Sequence, residues 1–244
     1  MYSPEYFYSP EVQLPYLLFF QRKRMKAEQK SIVNEQRLLR AQMNPHFLFN
    51  SLASIQNYII NEDTDRASIY LSRFSQLVRN ILDNSVEEYV PLEKEIETIR
   101  NYLELQKVRY AGKFDFNIDV DDDIDEENML IPPMLAQPLI ENAKEHVIKH
   151  RLTPGHIDIR FRLEDSLIRF EVEDDGVGRE KAREIEASKG AKHRSMATSI
   201  TTDRLATLNK KLKKKIRMEI VDLKDSEGKG IGTKVMFGIP VVMK

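Results

Sequence analysis

The 244-residue sequence contains neither cysteine nor tryptophan, and its formal net charge is only −1 at pH 7. Without cysteine the chain can form no disulfide bond, thiolate nucleophile or cysteine-ligated metal site. The small net charge creates no global field that would recruit nucleic acid, so no nucleic-acid partner is expected. No apolar run reaches the roughly 18 residues that a membrane-spanning helix requires.

A short apolar segment near the N-terminus gives a partial membrane signal. Residues 12–20 read V-Q-L-P-Y-L-L-F-F, and residues 21–24 add the cluster Q-R-K-R. Apolar and aromatic residues that end in basic ones are typical of the cytoplasmic end of a transmembrane helix. The segment is too short to span a bilayer, so an interfacial or packed N-terminal segment is the alternative. We expect residues 1–24 to be a membrane-tether remnant and the rest of the chain to be cytoplasmic.

Helical patterns fill the first 110 residues. Residues 25–41 are rich in Lys, Glu, Gln, Arg and Leu without Gly or Pro, which favours a solvated helix or a short coiled coil. Three apolar stripes with helical spacing follow. The stripes are Leu48, Leu52, Ile55 and Ile59; Tyr70, Phe74, Leu77 and Ile81; and Leu92, Ile96, Ile99 and Leu103. The pattern predicts a helical hairpin plus a third helix, and a homodimer in which two hairpins form a four-helix bundle.

The pattern changes near Gly112, where apolar residues begin to alternate with polar ones. The predicted strands cover residues 114–120, 157–161, 167–173, 217–223 and 233–242. Residues 135–150 and 201–215 predict helices. The acidic run at residues 121–127 lacks the glycine and the ligand spacing of a calcium loop, so a solvated loop is expected. The second half is thus predicted to be a mixed sheet with helices, and the whole chain an α + α/β protein.

The stretch Q-M-N-P-H-F-L-F-N-S-L, residues 42–52, places Asn-Pro-His inside a helix-forming region. Proline inside a helix removes a backbone hydrogen bond and clashes with the preceding turn, at about 3 kcal/mol. A kink of this kind frees carbonyl groups, and local strain is often found at reactive residues. The break must therefore be offset by other interactions or be useful in itself, for example at a reactive histidine. A core histidine beside a kink is the alternative.

Two further motifs carry polar side chains that suit a nucleotide. Residues 174–178, D-D-G-V-G, follow a predicted strand, where a carboxylate can accept a hydrogen bond from an amine and glycines admit a ligand. An acid-capped turn is the alternative. On the helix Q-P-L-I-E-N-A-K-E-H, residues 137–146, Asn142 and His146 lie one turn apart on one face. An amide oxygen with Glu141 and Glu145 nearby suits Mg²⁺, although the polar face of an amphipathic helix would look the same.

Two other stretches imitate binding motifs. Residues 227–234, E-G-K-G-I-G-T-K, resemble a phosphate loop, but such a loop leads into a helix. Here a predicted strand follows, so we interpret the stretch as a hairpin turn. Residues 210–215, K-K-L-K-K-K, imitate a nucleic-acid patch. They end a predicted helix, where cations complement the helix dipole, and a solvated helix end is the better interpretation.

The order of the motifs resembles a known family. The helix bearing Asn142 precedes Asp174 by about thirty residues with a hairpin between them, and a further segment, a helix and a hairpin follow. This order resembles the Bergerat ATP-binding domain of the GHKL superfamily. Residues 133–142 resemble its N box, and residues 174–178 its first glycine box. Residues 43–50, M-N-P-H-F-L-F-N, resemble the phosphoacceptor motif of the LytS-type sensor histidine kinases.

The resemblance implies a kinase of a bacterial two-component system at the inner face of the cell membrane. His46 would be the phosphorylated residue, and Glu141 is a candidate base. Asn142 would hold the Mg²⁺ that bridges the phosphates of ATP, and Asp174 would accept the adenine amino group. The other residues expected to line the nucleotide are His146, Gly176, Gly178, Ala197 and Thr233. Residues 179–195 would form the ATP lid, and the phosphate would pass to an aspartate on a response regulator.

The implied organisation has three parts. These are a juxtamembrane remnant at residues 1–24, a helical dimerisation and phosphoacceptor region at 25–111, and a two-layer α/β ATP-binding domain at 112–244. Two departures from the family pattern leave alternatives open. The N box usually continues Lys-His-Gly, where this chain has Glu145-His146-Val147, and the second glycine box usually offers a glycine where Ala197 stands. A catalytically degenerate scaffold that dimerises and recruits a partner is therefore the alternative function.

Overall fold

A computed structural model describes residues 45–85, 87–150, 153–165, 167–188, 202, 205, 206, 209 and 217–244. The chain divides into two compact units, residues 1–49 and residues 50–244. The helix expected at residues 25–41, the kink expected before His46 and the basic run at residues 210–215 lie outside the described residues. No helix in the described ranges is long and apolar enough to cross a membrane.

Five helices are formed by the described residues. They are α1 Pro45–Ile60, α2 Thr64–Ser85, α3 Leu92–Arg109, α4 Gln137–His150 and α5 Arg179–Ser188. Pro45 stands first in the described part of α1, where the missing N–H of a proline costs little. The turn between α1 and α2 contains Glu62, with a φ of 58°. Asp63 caps α2, because its carboxylate accepts the N–H of Arg66 at 3.2 Å.

The strands form two sheets. They are β1 Val90–Pro91, β2 Phe114–Val120, β3 Met129–Ile131, β4 Gly155–Glu164, β5 Leu167–Asp174, β6 Met218–Lys224, β7 Gly230–Pro240 and β8 Val242–Met243. The main sheet has the order β2-β4-β5-β7-β6, with β2 parallel to β4 and the other neighbours antiparallel. The small sheet has the order β1-β3-β8. A mixed sheet combined with helices confirms the predicted α + α/β class.

The buried face of α1 differs from the predicted stripe. Ser51 and Ile55 are buried, whereas Leu52 and Ile59 are 53% and 59% exposed. The apolar arc of α1 is wider than one face, so the spacing alone could not decide which strip of it the chain itself covers. The stripe on α2 was predicted correctly: Tyr70, Leu77 and Ile81 are buried and Phe74 is half-buried.

Helix α3 packs against both α2 and the sheet strands. All four residues of its predicted stripe, Leu92, Ile96, Ile99 and Leu103, are buried. On the α2 side, the Nδ2 atom of buried Asn84 donates to Thr98 Oγ1 at 3.3 Å, and Thr98 Oγ1 donates to the carbonyl of Lys94 at 2.7 Å. Helix α3 therefore joins the hairpin to the layer of helices that covers the sheet.

The two faces of the main sheet differ in chemistry. The helix-covered face is built on Phe161, Phe170 and Phe237, whose neighbouring ring centroids are 5.3 Å apart. Half-buried ion pairs cross the other face, with Lys234 2.9 Å and Arg160 3.2 Å from the same oxygen of Glu173. Burial alone would raise the pKa of Glu173, but these two cations outweigh it and hold the pKa below its ordinary value. The open face is thus polar but largely charge-compensated.

The stretch that imitates a phosphate loop is a hairpin turn, as predicted. Strands β6 and β7 pair antiparallel, with Lys224 opposite Gly230. The turn between them is closed by the carboxylate of Asp225, which accepts the N–H groups of Glu227 at 3.0 Å and Lys229 at 2.9 Å. Gly228 supplies the positive φ of 78° that the turn requires.

Candidate functional site

The candidate site lies where β5 ends beside β7. Asp174 is the last residue of β5, and its register partner on β7 is Thr233. Helix α4 packs against β4 and β5, which brings His146 next to the strand end. Three residues that are far apart in the sequence and were each predicted to bind nucleotide are therefore brought together.

The Asp174 carboxylate is 3% exposed. Its Oδ1 atom accepts the N–H of Gly176 at 3.0 Å. Its Oδ2 atom lies 3.6 Å from His146 Nδ1, longer than a hydrogen bond. One carboxylate oxygen thus holds the turn that follows β5 in its conformation, and the other faces the His146 ring on α4.

Two buried polar atoms near Asp174 have no hydrogen-bond partner in the described protein. They are the Nδ1 atom of His146 and the Oγ1 atom of Thr233, and Thr233 is only 2% exposed. Buried polar groups are nearly always hydrogen-bonded, so an orphaned pair calls for an explanation. A ligand or water that bonds to Asp174, His146 and Thr233 would supply it.

Glycines stand around Asp174 at places where a side chain would meet neighbouring atoms. A Cβ atom at Gly176 would lie 2.7 Å from Asp174 Oδ1 and 3.1 Å from His146 Cβ. Gly178 has a φ of 75°, and a Cβ there would approach Gly230 Cα at 3.2 Å. Gly232 leaves no room for a Cβ because the Asp174 carbonyl oxygen occupies the position. Residues 174–178, named the glycine turn below, therefore require glycine at both predicted places.

Helix α4 presents Glu141, Asn142 and Glu145 as half-buried side chains. Gln137 Nε2 donates to Glu141 Oε1 at 3.4 Å. No group of three or more His, Cys, Asp or Glu residues in the described ranges could hold a metal ion alone. The donor set nevertheless fits Mg²⁺, which is commonly bound through one or two protein oxygens together with substrate phosphates and water.

A buried lysine anchors α4 to α3, and the sequence analysis missed it. Lys144 Nζ donates to Tyr102 OH at 3.0 Å and to Gln106 Oε1 at 3.3 Å, and it lies 5.5 Å from the centre of the Tyr102 ring. Burial, and after it the charge of Glu141, raises the pKa of Tyr102 well above its ordinary value of 10.0. The position of Lys144 on the apolar stripe between Ile140 and Val147 was the available signal.

The segment before α4 is held by a second buried group from α3. Glu95 is 2% exposed, and its Oε2 atom accepts the N–H of Met134 at 3.0 Å. Met134 has a φ of 58°, a conformation that a non-glycine side chain rarely adopts. Both the start and the middle of α4 are therefore fixed by polar side chains of α3.

An arginine fork holds the residue that follows the glycine turn. Arg179 Nε and NH2 donate to the two carboxylate oxygens of Asp222 on β6, at 2.6 Å and 2.7 Å. The bidentate bond raises the pKa of Arg179. The beginning of the predicted ATP lid is therefore a helix, α5, tied to the edge of the sheet.

Two predicted residues cannot be placed relative to this site. The backbone of His46 lies in α1, but its side chain is outside the described part of the structure. Ala197 and residues 189–195 of the predicted lid are likewise outside the described residues.

A comparison with protein-family models identifies the N-terminal part of the chain. Residues 34–114 match the model described as "Histidine kinase". This segment contains His46, the helical hairpin and α3. This part of the chain is therefore similar to histidine kinases.

The kinase relatives that the chain matches include LytS proteins of staphylococci. The sensor protein LytS of Staphylococcus epidermidis is 33% identical over 140 residues, which cover 57% of this chain and 23% of the relative. The sensor histidine kinase/phosphatase LytS of Staphylococcus aureus is 36% identical over 141 residues, with 57% and 24% coverage. The chain thus spans about a quarter of the length of these relatives. Among solved structures, the catalytic domain of histidine kinase ThkA aligns over 64% of this chain and 97% of its own, with 15% identity and a TM-score of 0.43.

Proposed function

We propose that this chain is the kinase core of a two-component sensor, which binds ATP beside the glycine turn and phosphorylates His46. The observation that carries the proposal is the buried Asp174 carboxylate with the orphaned His146 Nδ1 and Thr233 Oγ1 atoms around it. The match of residues 34–114 to the histidine kinase model and the similarity to LytS sensors support this proposal.

Adenine recognition is assigned to Asp174 and Thr233. The Oδ2 atom of Asp174 accepts the exocyclic amino group, and the Thr233 hydroxyl can donate to a ring nitrogen directly or through water. His146 closes the space from the α4 side. Gly176 and Gly178 let the backbone of the glycine turn pass close to the nucleotide.

The metal and the phosphates are assigned to helix α4. Asn142 is the proposed oxygen ligand of Mg²⁺, which when bound neutralises charge on the phosphates of ATP. Glu141 and Glu145 flank Asn142 on the same helix and are half-buried. Two carboxylates at this place make the phosphates poorly bound without a divalent cation, so we expect binding of ATP to depend strongly on Mg²⁺.

His46 is the proposed phosphoacceptor. One ring nitrogen of His46 forms a bond to the γ-phosphorus of ATP while the bond between that phosphorus and the bridging oxygen breaks, and ADP leaves. The ring becomes positively charged when the new bond forms, and it returns to neutral by losing the proton on its other nitrogen. Glu141 is the candidate base that takes this proton. The phosphoryl group then passes from His46 to an aspartate on a response regulator, and the ring regains its proton.

The same proposal includes a homodimer and a membrane tether. Helices α1 and α2 leave large apolar side chains exposed, and a second copy of the hairpin would cover them. Residues 1–24 are proposed to lie at the inner face of the cell membrane, because of their apolar and basic order.

A degenerate scaffold remains the second candidate. Glu145 stands where the family usually has lysine, and Ala197 where it usually has glycine. A scaffold would keep the dimer and lose the nucleotide. It predicts that the wild-type chain binds no ATP, which calorimetry decides directly.

The deciding experiment is incubation of the chain with γ-labelled ATP and Mg²⁺, followed by acid and alkali treatment. We expect label that is acid-labile and alkali-stable, as phosphohistidine is. His46→Gln should abolish it, whereas His156→Gln, which changes a half-buried histidine of β4, should keep it. Asp174→Asn should weaken ATP binding by tenfold or more, about 1.4 kcal/mol. Label that survives His46→Gln contradicts the assignment.

A further inference from the structure

Val147 replaces the glycine that usually ends the N box, and its side chain lies against β4. Val147 is 1% exposed. Gly155, the first residue of β4, is buried directly beside it. A Cβ atom built at Gly155 would lie far inside 3.0 Å of Val147 Cγ1, a separation that real Cβ atoms do not show. The valine is accommodated because residue 155 has no side chain.

The glycine turn also lies against Gly155, through the side chain of Asp175. The same Cβ atom would lie 2.8 Å from Asp175 Oδ1. That oxygen accepts the N–H of His156 at 2.7 Å, and the N–H of Asp175 donates to the His156 carbonyl at 3.2 Å. Asp175 is thus fixed to the strand residue next to Gly155 by two hydrogen bonds.

We propose that Val147, Gly155 and Asp175 form a spacing contact that sets the distance between α4 and the glycine turn. This inference rests on the proposed function, since α4 carries Asn142 and His146 while the turn carries Asp174. Val147 adjoins His146 in the sequence, and Asp175 adjoins Asp174. A displacement at the spacing contact is therefore passed directly to both residues that face the nucleotide.

The spacing contact acts by packing, and its members are positioning residues. Protein interiors are close-packed, so an added methyl group moves its neighbours instead of filling a void. The neighbours here have little room, because a Cβ at Gly176 would already be 3.1 Å from His146 Cβ. A change of a few tenths of an ångström at residue 155 alters the gap between His146 and Asp174 that the adenine must fit.

The contact also bears on the departure from the family pattern. The Val147 side chain is directed to Gly155. The predicted nucleotide-binding residues stand at other positions and are all kept. A valine at this position is therefore compatible with a working site. It makes glycine at residue 155 obligatory in this chain.

The test is a double-mutant cycle with Gly155→Ala, Val147→Ala and the combined variant. Binding of ATP with Mg²⁺ is measured by calorimetry at a temperature at which each variant is folded. We expect Gly155→Ala to weaken binding by about tenfold or more. The combined variant should bind about threefold or more tightly than Gly155→Ala, because contacting residues couple. The control is Gly238→Ala on β7, where a Cβ meets Leu167 Cδ1 at 3.1 Å, which should lower thermal stability and leave ATP affinity unchanged.

A second readout needs no nucleotide and separates this inference from the proposed function. Amide hydrogen exchange of Gly176 and His156 reports the hydrogen bonds to Asp174 and Asp175. Gly155→Ala should speed exchange at both amides, and the combined variant should slow it again. If the wild-type chain binds no ATP, the proposed function fails, and exchange still decides the spacing contact.

Purely additive effects in binding and exchange, or a Gly155→Ala variant that behaves as wild type, would overturn the inference. If Gly155→Ala does not fold, Val147→Ile replaces it. The extra methyl group presses on Gly155 without adding a Cβ to the strand. The same weaker binding of ATP and faster exchange at Gly176 are then expected, and their absence overturns the spacing contact.

Discussion

The helical hairpin and the α/β half of the molecule treat their large apolar residues differently. In the α/β half, Phe161, Phe170 and Phe237 are at most 2% exposed and pack on one another. In α1 and α2, the large apolar residues that remain exposed are Phe49, Leu52, Ile59, Ile60, Ile69, Leu71 and Leu82. The α/β half encloses its own core, whereas the hairpin covers only part of its apolar surface.

The difference supports the proposed association of the hairpin with another chain. A contiguous exposed apolar surface is uncommon on a soluble monomer and usually marks an interface. The hairpin has only two helices, and each presents a wider apolar arc than the other can cover. The α/β half therefore supplies the stability of the protomer, and the hairpin supplies the proposed association.

The largest expected effect is the loss of the dimer when the exposed strip of α1 becomes charged. The double substitution Leu52→Asp and Ile59→Asp should convert a dimer into a monomer at micromolar concentration. Burying each such side chain contributes about 1.5–3 kcal/mol, and the change removes two per protomer. Light scattering measures the mass, and circular dichroism checks that the helices persist.

Val221→Asp is the matched control for this prediction. Val221 lies on the edge strand β6 and is 42% exposed, so it is apolar and accessible but outside the hairpin. The control should keep the dimer. A charged α1 that still gives a dimeric mass would move the interface to another surface.

The next largest effect should be in the core of the sheet. Phe170→Ala should lower the free energy of unfolding by about 3–5 kcal/mol, because a fully buried ring is removed between two other rings. Leu71→Ala on α2 should change it by less than about 0.5 kcal/mol in the monomeric background, since its side chain is 47% exposed. Urea denaturation measures both. Equal losses at the two positions would contradict the contrast between the halves.

The sequence predicted the helices and strands of both halves well. It predicted less well which surfaces bury their apolar faces. Alternation placed the strands of the main sheet, and the stripe on α3 was correct at all four positions, because in each case one face is buried by the same chain. On α1, Leu52 and Ile59 of the predicted stripe are exposed in the single chain, and whether a second copy covers them stays a prediction. Periodicity reports an apolar face, but it does not report whether this chain or another one covers it.

The sequence analysis named candidate binding residues and missed the residues that support them. Asp174 and His146 lie in motifs with polar side chains, and the resemblance to the GHKL superfamily implied that they line a nucleotide together with Thr233, which stays a prediction. Lys144, Glu95 and the spacing contact act through burial and long-range packing. A buried lysine looks like a surface residue in the sequence, and Gly155 looks like any glycine at a strand start. Their roles depend on partners 19 to 42 residues away.

A smaller effect is expected for a buried residue of α3. It tests whether α3 belongs structurally to the α/β half and not to the hairpin. Glu95→Leu should lower the free energy of unfolding by about 2 kcal/mol, because the buried N–H of Met134 loses its acceptor. Glu97→Leu changes an exposed residue of the same helix and should stay within about 0.5 kcal/mol. A Glu95 variant as stable as wild type would show that the segment before α4 holds its conformation without α3.

The smallest expected effect compares one tyrosine from each half in alkaline solution. Burial raises the pKa of Tyr102, at the junction of α3 and α4, well above its ordinary value of 10.0. Burial also raises the pKa of Tyr70 on α2, but the neighbouring hydroxyl groups of Ser51 and Ser54 oppose the shift. Below pH 10 both tyrosines keep their protons in the folded and unfolded states. Above it the unfolded chain loses these protons first, so stability must fall as the pH rises.

Each raised tyrosine can lower the free energy of unfolding by up to about 1.4 kcal/mol per pH unit within its window. We therefore expect the difference between wild type and Tyr102→Phe to change as the pH rises above about 10, as wild type loses stability that the variant keeps. Tyr70→Phe should show the same sign over a narrower window. Other titrating groups are common to all three proteins and cancel in the comparison. Urea denaturation at each pH measures the slopes, and a difference that does not change with pH would mean that Tyr102 ionises freely while α3 and α4 remain packed.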